Sequence, residues 1–196
     1  MRRRRSFLLS VALASVAALT SVACADPPDK EIQQAQGAID TARAAGADQY
    51  AHDEFAAAED ALKRAHEAVA QRDYRLALNN ALDARERAQS AAKEAADRKT
   101  TARVDAEREL LDAMTALNDA NTRLRAAEAA RPPAKTLAAP KRVIVDSEAA
   151  LQKARAMFDR GDYLAVIDVA KATTARLRGS ARDLDAAAAA PVRRRR

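Results

Sequence analysis

Apolar residues recur at every third or fourth position along most of this chain, and that spacing predicts helices rather than strands. Ile32, Ala35, Ile39 and Ala42 step by 3, 4 and 3, a first helix opened by Pro27-Pro28-Asp29 and closed near Gly46. Phe55, Ala58, Leu62, Ala65 and Val69 make a second helix, and Tyr74, Ala77, Ala81, Ala84, Ala88, Ala91 and Ala95 a third. Such stripes are the seams of antiparallel, coiled-coil-like packing, and alanine along the third lets helices approach closely. Between Gly46 and Pro132 the chain holds neither glycine nor proline, so few positions there end a helix. Leu110, Met114, Leu117, Asn121 and Leu124 prolong the same spacing. The third helix is therefore expected to run on, with Thr100-Thr101 as the one interruption the composition offers.

The pattern then repeats. With a shift of 89 residues, Ala61-Leu62 falls on Ala150-Leu151, Ala65 on Ala154, Val69 on Phe158, Asp73-Tyr74 on Asp162-Tyr163 and Ala81 on Ala170. The corresponding seams are Ile144, Ser147, Leu151, Ala154 and Phe158, then Tyr163, Val166, Ala170, Thr173 and Leu177. Ala120 and Leu124 match Ala35 and Ile39 more loosely, across a small insertion at Pro132-Pro133. Val143-Ile144-Val145 is expected to begin the fifth helix just after Pro140. The fold expected is all-α: two tandem antiparallel three-helix units, residues 29–100 and 101–186, with alanine-rich seams and one long central helix shared between them.

The hairpin turns have a local mechanism. In Arg160-Gly161-Asp162-Tyr163, Gly161 can take the left-handed conformation that ends a helix, and Asp162 can cap the next. The first copy has Arg72 in place of that glycine. A left-handed non-glycine residue costs roughly 1 kcal/mol, so this turn is expected to be wider or differently built. Tyr74 and Tyr163 stand one residue into the new helices as packing wedges.

Ahead of the helices lies a segment of another kind. Arg2–Arg5 precede an uncharged run from Ser6 to Val22 that ends at Ala23-Cys24-Ala25. A cationic start, a short apolar core and a small-residue exit describe a secretory signal peptide over residues 1–24. Two cleavage readings are open. Ser21-Val22-Ala23-Cys24 reads as a lipobox that makes Cys24 a lipidated first residue, although Ser21 stands where an aliphatic residue is usual. Ala23-Cys24-Ala25 reads as a plain site that leaves Asp26 first. The single cysteine falls on the one position where lipidation would use it, which favours the first reading and a membrane anchor at Cys24. A lone cysteine excludes a disulfide framework and a dithiol redox motif.

Charge matters only after it is divided. The net charge is +6, but Arg2–Arg5 and Arg193–Arg196 supply eight positives, and without them the body stands at −2. A near-neutral body carries no broad footprint for nucleic acid, and three Phe, three Tyr and no Trp do not make a base-stacking platform. Residues 187–196 are expected to form a basic flexible tail: Pro191 stops the last helix, and Arg193, Arg194, Arg195 and Arg196 are either a solvated, frayed end or candidates for contact with anionic headgroups or lipopolysaccharide phosphates.

Catalytic and metal signatures are weak throughout. His52 and His66 lack a second His or Cys at ligand spacing, and the carboxylates beside them suit a solvated helix face. The four glycines are isolated, so no phosphate loop forms, and no strand–turn–helix presents a serine. No enzyme activity, cofactor or metal is expected.

Residues 29–98 resemble a family of Gram-negative envelope proteins known only as a domain of unknown function, number forty-three ninety-eight. The resemblance rests on Ile39, Ala42-Arg43, Gly46-Ala47, Tyr50-Ala51, Glu54-Phe55, Ala58, Leu62, Ala65, Asp73-Tyr74, Ala77, Ala81, Ala84 and Ala88. His52 departs from the proline often found after Tyr-Ala. The second unit looks like a divergent copy. The resemblance implies a short helical lipoprotein with no established activity, and no peptidoglycan-binding function is expected from it. Arg160 to Ile167 also looks like the mid-repeat turn of tetratricopeptide hairpins, without their ~34-residue period; we treat this as shared hairpin physics.

The function expected is that of a non-enzymatic, exported, lipid-anchored periplasmic protein serving as a structural or adaptor element. It would offer helix faces to an envelope protein or to a second copy of itself. The alternatives are association with peptidoglycan or lipopolysaccharide through the basic tail, and a tetratricopeptide-like periplasmic binding module.

Overall fold

The computed structural model describes residues 26–189. Cys24 and Arg193–Arg196 lie outside the described residues. Six α-helices follow in order: α1 (Asp29–Ala44), α2 (Ala47–Tyr50), α3 (His52–Ala70), α4 (Tyr74–Ala129), α5 (Ala134–Asp159) and α6 (Tyr163–Ala189). No strand occurs among the described residues, and the fold is all-α.

The central helix α4 is continuous through Thr100-Thr101. Threonine disfavours a helix interior partly because its hydroxyl competes for backbone groups. Here both hydroxyls fold back onto their own helix, Thr100 onto the Ala96 carbonyl at 2.9 Å and Thr101 onto the Asp97 carbonyl at 3.1 Å. At 1.5 Å per residue, α4 is about 84 Å long. Its first half packs with α1 and α3, and its second half with α5 and α6. Two three-helix bundles thus stand end to end on one shared helix.

In the first half the sequence pattern maps onto burial, but Val69 is half-buried while Ala68 beside it is buried. Ile32, Ala35, Ile39, Ala42, Phe55, Ala58, Leu62 and Ala65 are buried, as are all six alanines from Ala77 to Ala95 on the third seam. The second half of α4 differs in detail. The fully buried stripe is Ala106, Ala113, Ala120 and Ala127, whereas Leu110, Met114, Leu117, Asn121 and Leu124 are half-buried beside it. The axis of the seam is rotated because α4 faces two partner helices at once. Alanine fills the narrow wedge between them, and the larger side chains splay to its flank.

Four left-handed residues end helices: Gly46 (φ 87°), Arg72 (61°), Arg131 (54°) and Gly161 (86°). Gly46 is needed twice over, because a Cβ there would also lie 3.3 Å from the Tyr50 ring. The turn at Arg72 is neither wider nor differently built than the one at Gly161. Arg72 N–H donates to Val69 and Asp73 N–H to Ala68, while Gly161 N–H donates to Phe158 and Asp162 N–H to Met157. Both are the same double-bonded helix ending. The hydrogen bonds of the turn hold arginine where sequence preference alone would ask for glycine. Asp73 caps α4 by accepting from Leu76 N–H at 2.9 Å.

Pro140 does not precede the fifth helix. It lies inside α5, which opens after Pro133. A mid-helix proline removes one N–H donor. The carbonyl left over belongs to Thr136, an exposed residue, while Pro140 is buried in the bundle. The loss of one bond is thereby offset by solvation on one side and packing on the other.

Candidate functional site

Two equivalent grooves line the body, one per unit. The first lies between α1 and α3, with Gln36, Ile39, Glu59, Leu62, Lys63 and His66 among its lining residues. The second lies between α4 and α5, lined by Met114, Leu117, Glu148, Leu151, Gln152 and Arg155 with Asn118. Glu59, Leu62, Lys63 and His66 of α3 map onto the α5 lining with a shift of 89, and Gln36 and Ile39 of α1 map onto α4 with a shift of 78, whereas Arg43 and Glu67 of the first groove correspond to Asn121 and Ala156, which do not line the second. The sequence match of Ala35 and Ile39 to Ala120 and Leu124 is therefore one heptad too late; their spatial counterparts are Ala113 and Leu117. The extra heptads lie at the end of the bundle. By these shifts α4 runs seven residues past the point matching Ala44, and α5 starts seven before the point matching His52. The rims have diverged. His66 has become Arg155, which donates to the Met114 sulfur at 3.0 Å, and the Arg43–Glu59 ion pair at 2.7 Å has no counterpart, because Asn121 stands where Arg43 would be.

The junction between units is built on aromatic and polar contacts. Tyr50, nearly fully buried, faces Tyr163 and Asp162 of the α5–α6 turn, and burial first, then those two neighbours, raises its pKa above 10.0. Tyr163 packs its ring against Phe158 at 5.2 Å and also reaches the core of the first unit. Arg98 clamps the elbow from α4 by donating to the Tyr50 carbonyl at 3.1 Å. Arg43 lies 5.4 Å over the Phe55 ring, a cation–π contact beside its ion pairs with Asp40 and Glu59.

His52 and His66 are not brought together: His66 lines the first groove, and His52 lies at the elbow with Asp53, Glu54, Glu94 and Arg98. Among the described residues no group of three or more His, Cys, Asp or Glu could hold a metal ion. His52 is the first residue of α3, the position that best tolerates proline because its N–H has no intrahelical partner.

A third depression was not foreseen. Arg123 of α4 and Arg178 and Arg182 of α6 line it together with Asp119, Ala175 and Ala181. The four-residue spacing of Arg178 and Arg182 was a signal available in the sequence. The approach of Arg123, more than fifty residues away, was not.

These elements can be set beside known proteins. Residues 30–107 match the model of the family described as a domain of unknown function (DUF4398). The DUF4398 match takes in α1, α2, α3 and the first half of α4, and its end falls within the unbroken central helix. No curated protein and no solved structure matches the chain. Among the described residues no helix is long and apolar enough to cross a membrane.

Proposed function

We propose that this chain is an exported, non-enzymatic helical protein of the bacterial envelope, anchored by lipid on Cys24 and working as a structural or adaptor element. One observation carries this reading: the only cysteine stands at the end of an apolar run that follows four arginines. That arrangement matches a lipoprotein signal segment. The body supports an adaptor role by its form. A rod built on a helix about 84 Å long presents long lateral faces, and Val104, Leu111 and Val145 remain well exposed on them. The second unit is, on this reading, a divergent second DUF4398 copy that arose by duplication. The 89-residue shift, the matching turns at Arg72 and Gly161 and the paired grooves support that origin.

The test is fractionation with palmitate labelling of wild type and Cys24→Ala. The wild type is expected with the membranes and labelled, and the variant soluble and unlabelled. A soluble, unlabelled wild type with Asp26 as its first residue overturns the lipid anchor. Affinity recovery from envelope fractions then separates the roles. One stoichiometric protein partner supports the adaptor, and recovered sugar polymer supports association with peptidoglycan instead.

A further inference from the structure

The α4–α6 groove of the second unit carries a chemistry that its counterpart in the first unit lacks. It is a depression of about 510 Å³ rimmed by Arg123, Arg178 and Arg182, with Asp119 at one edge and Ala175 and buried Ala181 against its wall. Arg178 and Arg182 stand one turn apart on the same face of α6, a like-charge spacing that destabilises a helix unless something neutralises it. The two nearby carboxylates do not do so. Asp119 pairs with Arg123 at 2.9 Å, and Asp185 pairs with Arg123 as well. Among the described residues no carboxylate lies within ion-pair distance of Arg178 or Arg182.

The first unit shows that packing does not require these arginines. Under the shifts that relate the two bundles, the corresponding positions hold Thr41, Ala45, Glu86, Gln89, Ala92 and Lys93. The same frame there holds one cation, Lys93, and one carboxylate, Glu86. Only the second unit concentrates three guanidinium groups on one depression.

We propose that this groove is a binding site for a small phosphate-bearing ligand. A guanidinium offers a rigid fork of donors that matches two phosphate oxygens at once. Side chains at this helical spacing leave the helix about 5–6 Å apart, so Arg178 and Arg182 bracket one phosphate between them. Arg123, fixed by its two aspartates, forms the opposite wall. The depression is larger than one phosphate group, and the alanine methyls offer an apolar surface to whatever the phosphate is attached to. Asp119 at the edge and the near-neutral body disfavour a long polyanion. The chemistry of the groove is independent of where the protein resides.

The test uses the full chain, so that Arg193–Arg196 are present in every protein compared and their contribution cancels. Inorganic pyrophosphate is titrated at low salt by calorimetry. In parallel, the protein is sedimented with vesicles of phosphatidylglycerol and phosphatidylcholine, with phosphatidylcholine alone as the blank. The double variant R178Q/R182Q is expected to bind roughly tenfold or more weakly, as the loss of charge-assisted hydrogen bonds implies. K93Q, at the equivalent site of the first unit, is expected to bind like wild type, and circular dichroism checks that all three keep their helices. Weakening against pyrophosphate alone assigns a soluble phosphate ligand, and weakening against the vesicles assigns a lipid headgroup. Absence of binding by wild type in both arms, equal binding by wild type and R178Q/R182Q, or an equal loss in K93Q overturns the proposal.

Discussion

Arg72 and Gly161, related by the 89-residue shift, adopt the same left-handed backbone conformation and end their helices with the same pair of hydrogen bonds. Only one of them is a residue that takes this conformation without strain. Arg72→Gly is therefore expected to stabilise the protein by about 1 kcal/mol. The reverse change, Gly161→Ala, places its Cβ in open space, so its cost is backbone strain alone, of about the same size. Urea denaturation of both variants checks this. A destabilised Arg72→Gly would mean that the arginine side chain contributes more to the turn than its backbone costs.

The core of the second unit holds hydroxyls where the first holds methyls. Ser147 and Thr173 correspond to Ala58 and Ala84, and the hydroxyls of Ser147 and Thr174 are buried without a hydrogen-bond partner. An unpartnered buried hydroxyl retains its desolvation cost, so Ser147→Ala and Thr174→Val should each stabilise by about 1 kcal/mol. For a chain of this length that corresponds to a rise in Tm of roughly 2–4 °C. Thermal unfolding followed by circular dichroism measures it, and a lower Tm for either variant would show that its hydroxyl is satisfied.

Tyr50 makes the junction between units sensitive to alkali. Its phenol is held neutral in the folded state by burial and by the nearby Tyr163 and Asp162, with a pKa above 10.0. The unfolded chain then loses this proton first. The contribution is fully present below pH 10 and falls as pH rises through the raised value. Tyr50→Phe should abolish that part of the alkaline loss while leaving the neutral-pH stability little changed. Unfolding free energies at pH 8 and at pH above 10, compared between the two proteins, decide it; parallel losses in both would rule out the titration of Tyr50 as a cause.

What the sequence determines here is local and periodic. The alanine stripe from Ala77 to Ala95 buries as its 3-4 spacing predicts, because each helix shows a neighbour only one face. Gly46 ends α1, and the Asp-Tyr hairpins open α4 and α6 after left-handed residues, with Asp73 capping α4 while the Asp162 carboxylate pairs with Arg160. The continuity of α4 was likewise readable, because nothing near Thr100-Thr101 supplies a stop stronger than two threonines that bond back to their own helix. The tertiary structure decides everything that depends on register. A 3-4 pattern looks the same after a shift of seven residues, so sequence alone placed Ala120 opposite the role of Ala35, and packing places Ala113 there. The same extra heptad draws Pro140 into α5, where a buried ring and an exposed Thr136 make it tolerable. Arg72 shows the limit at a single residue, since the strain of its conformation is local while the bonds that hold it require the whole turn. Convergence is the least legible of all. Arg123 meets Arg178 and Arg182 only because α6 lies parallel to the second half of α4, and no periodicity within one helix contains that approach.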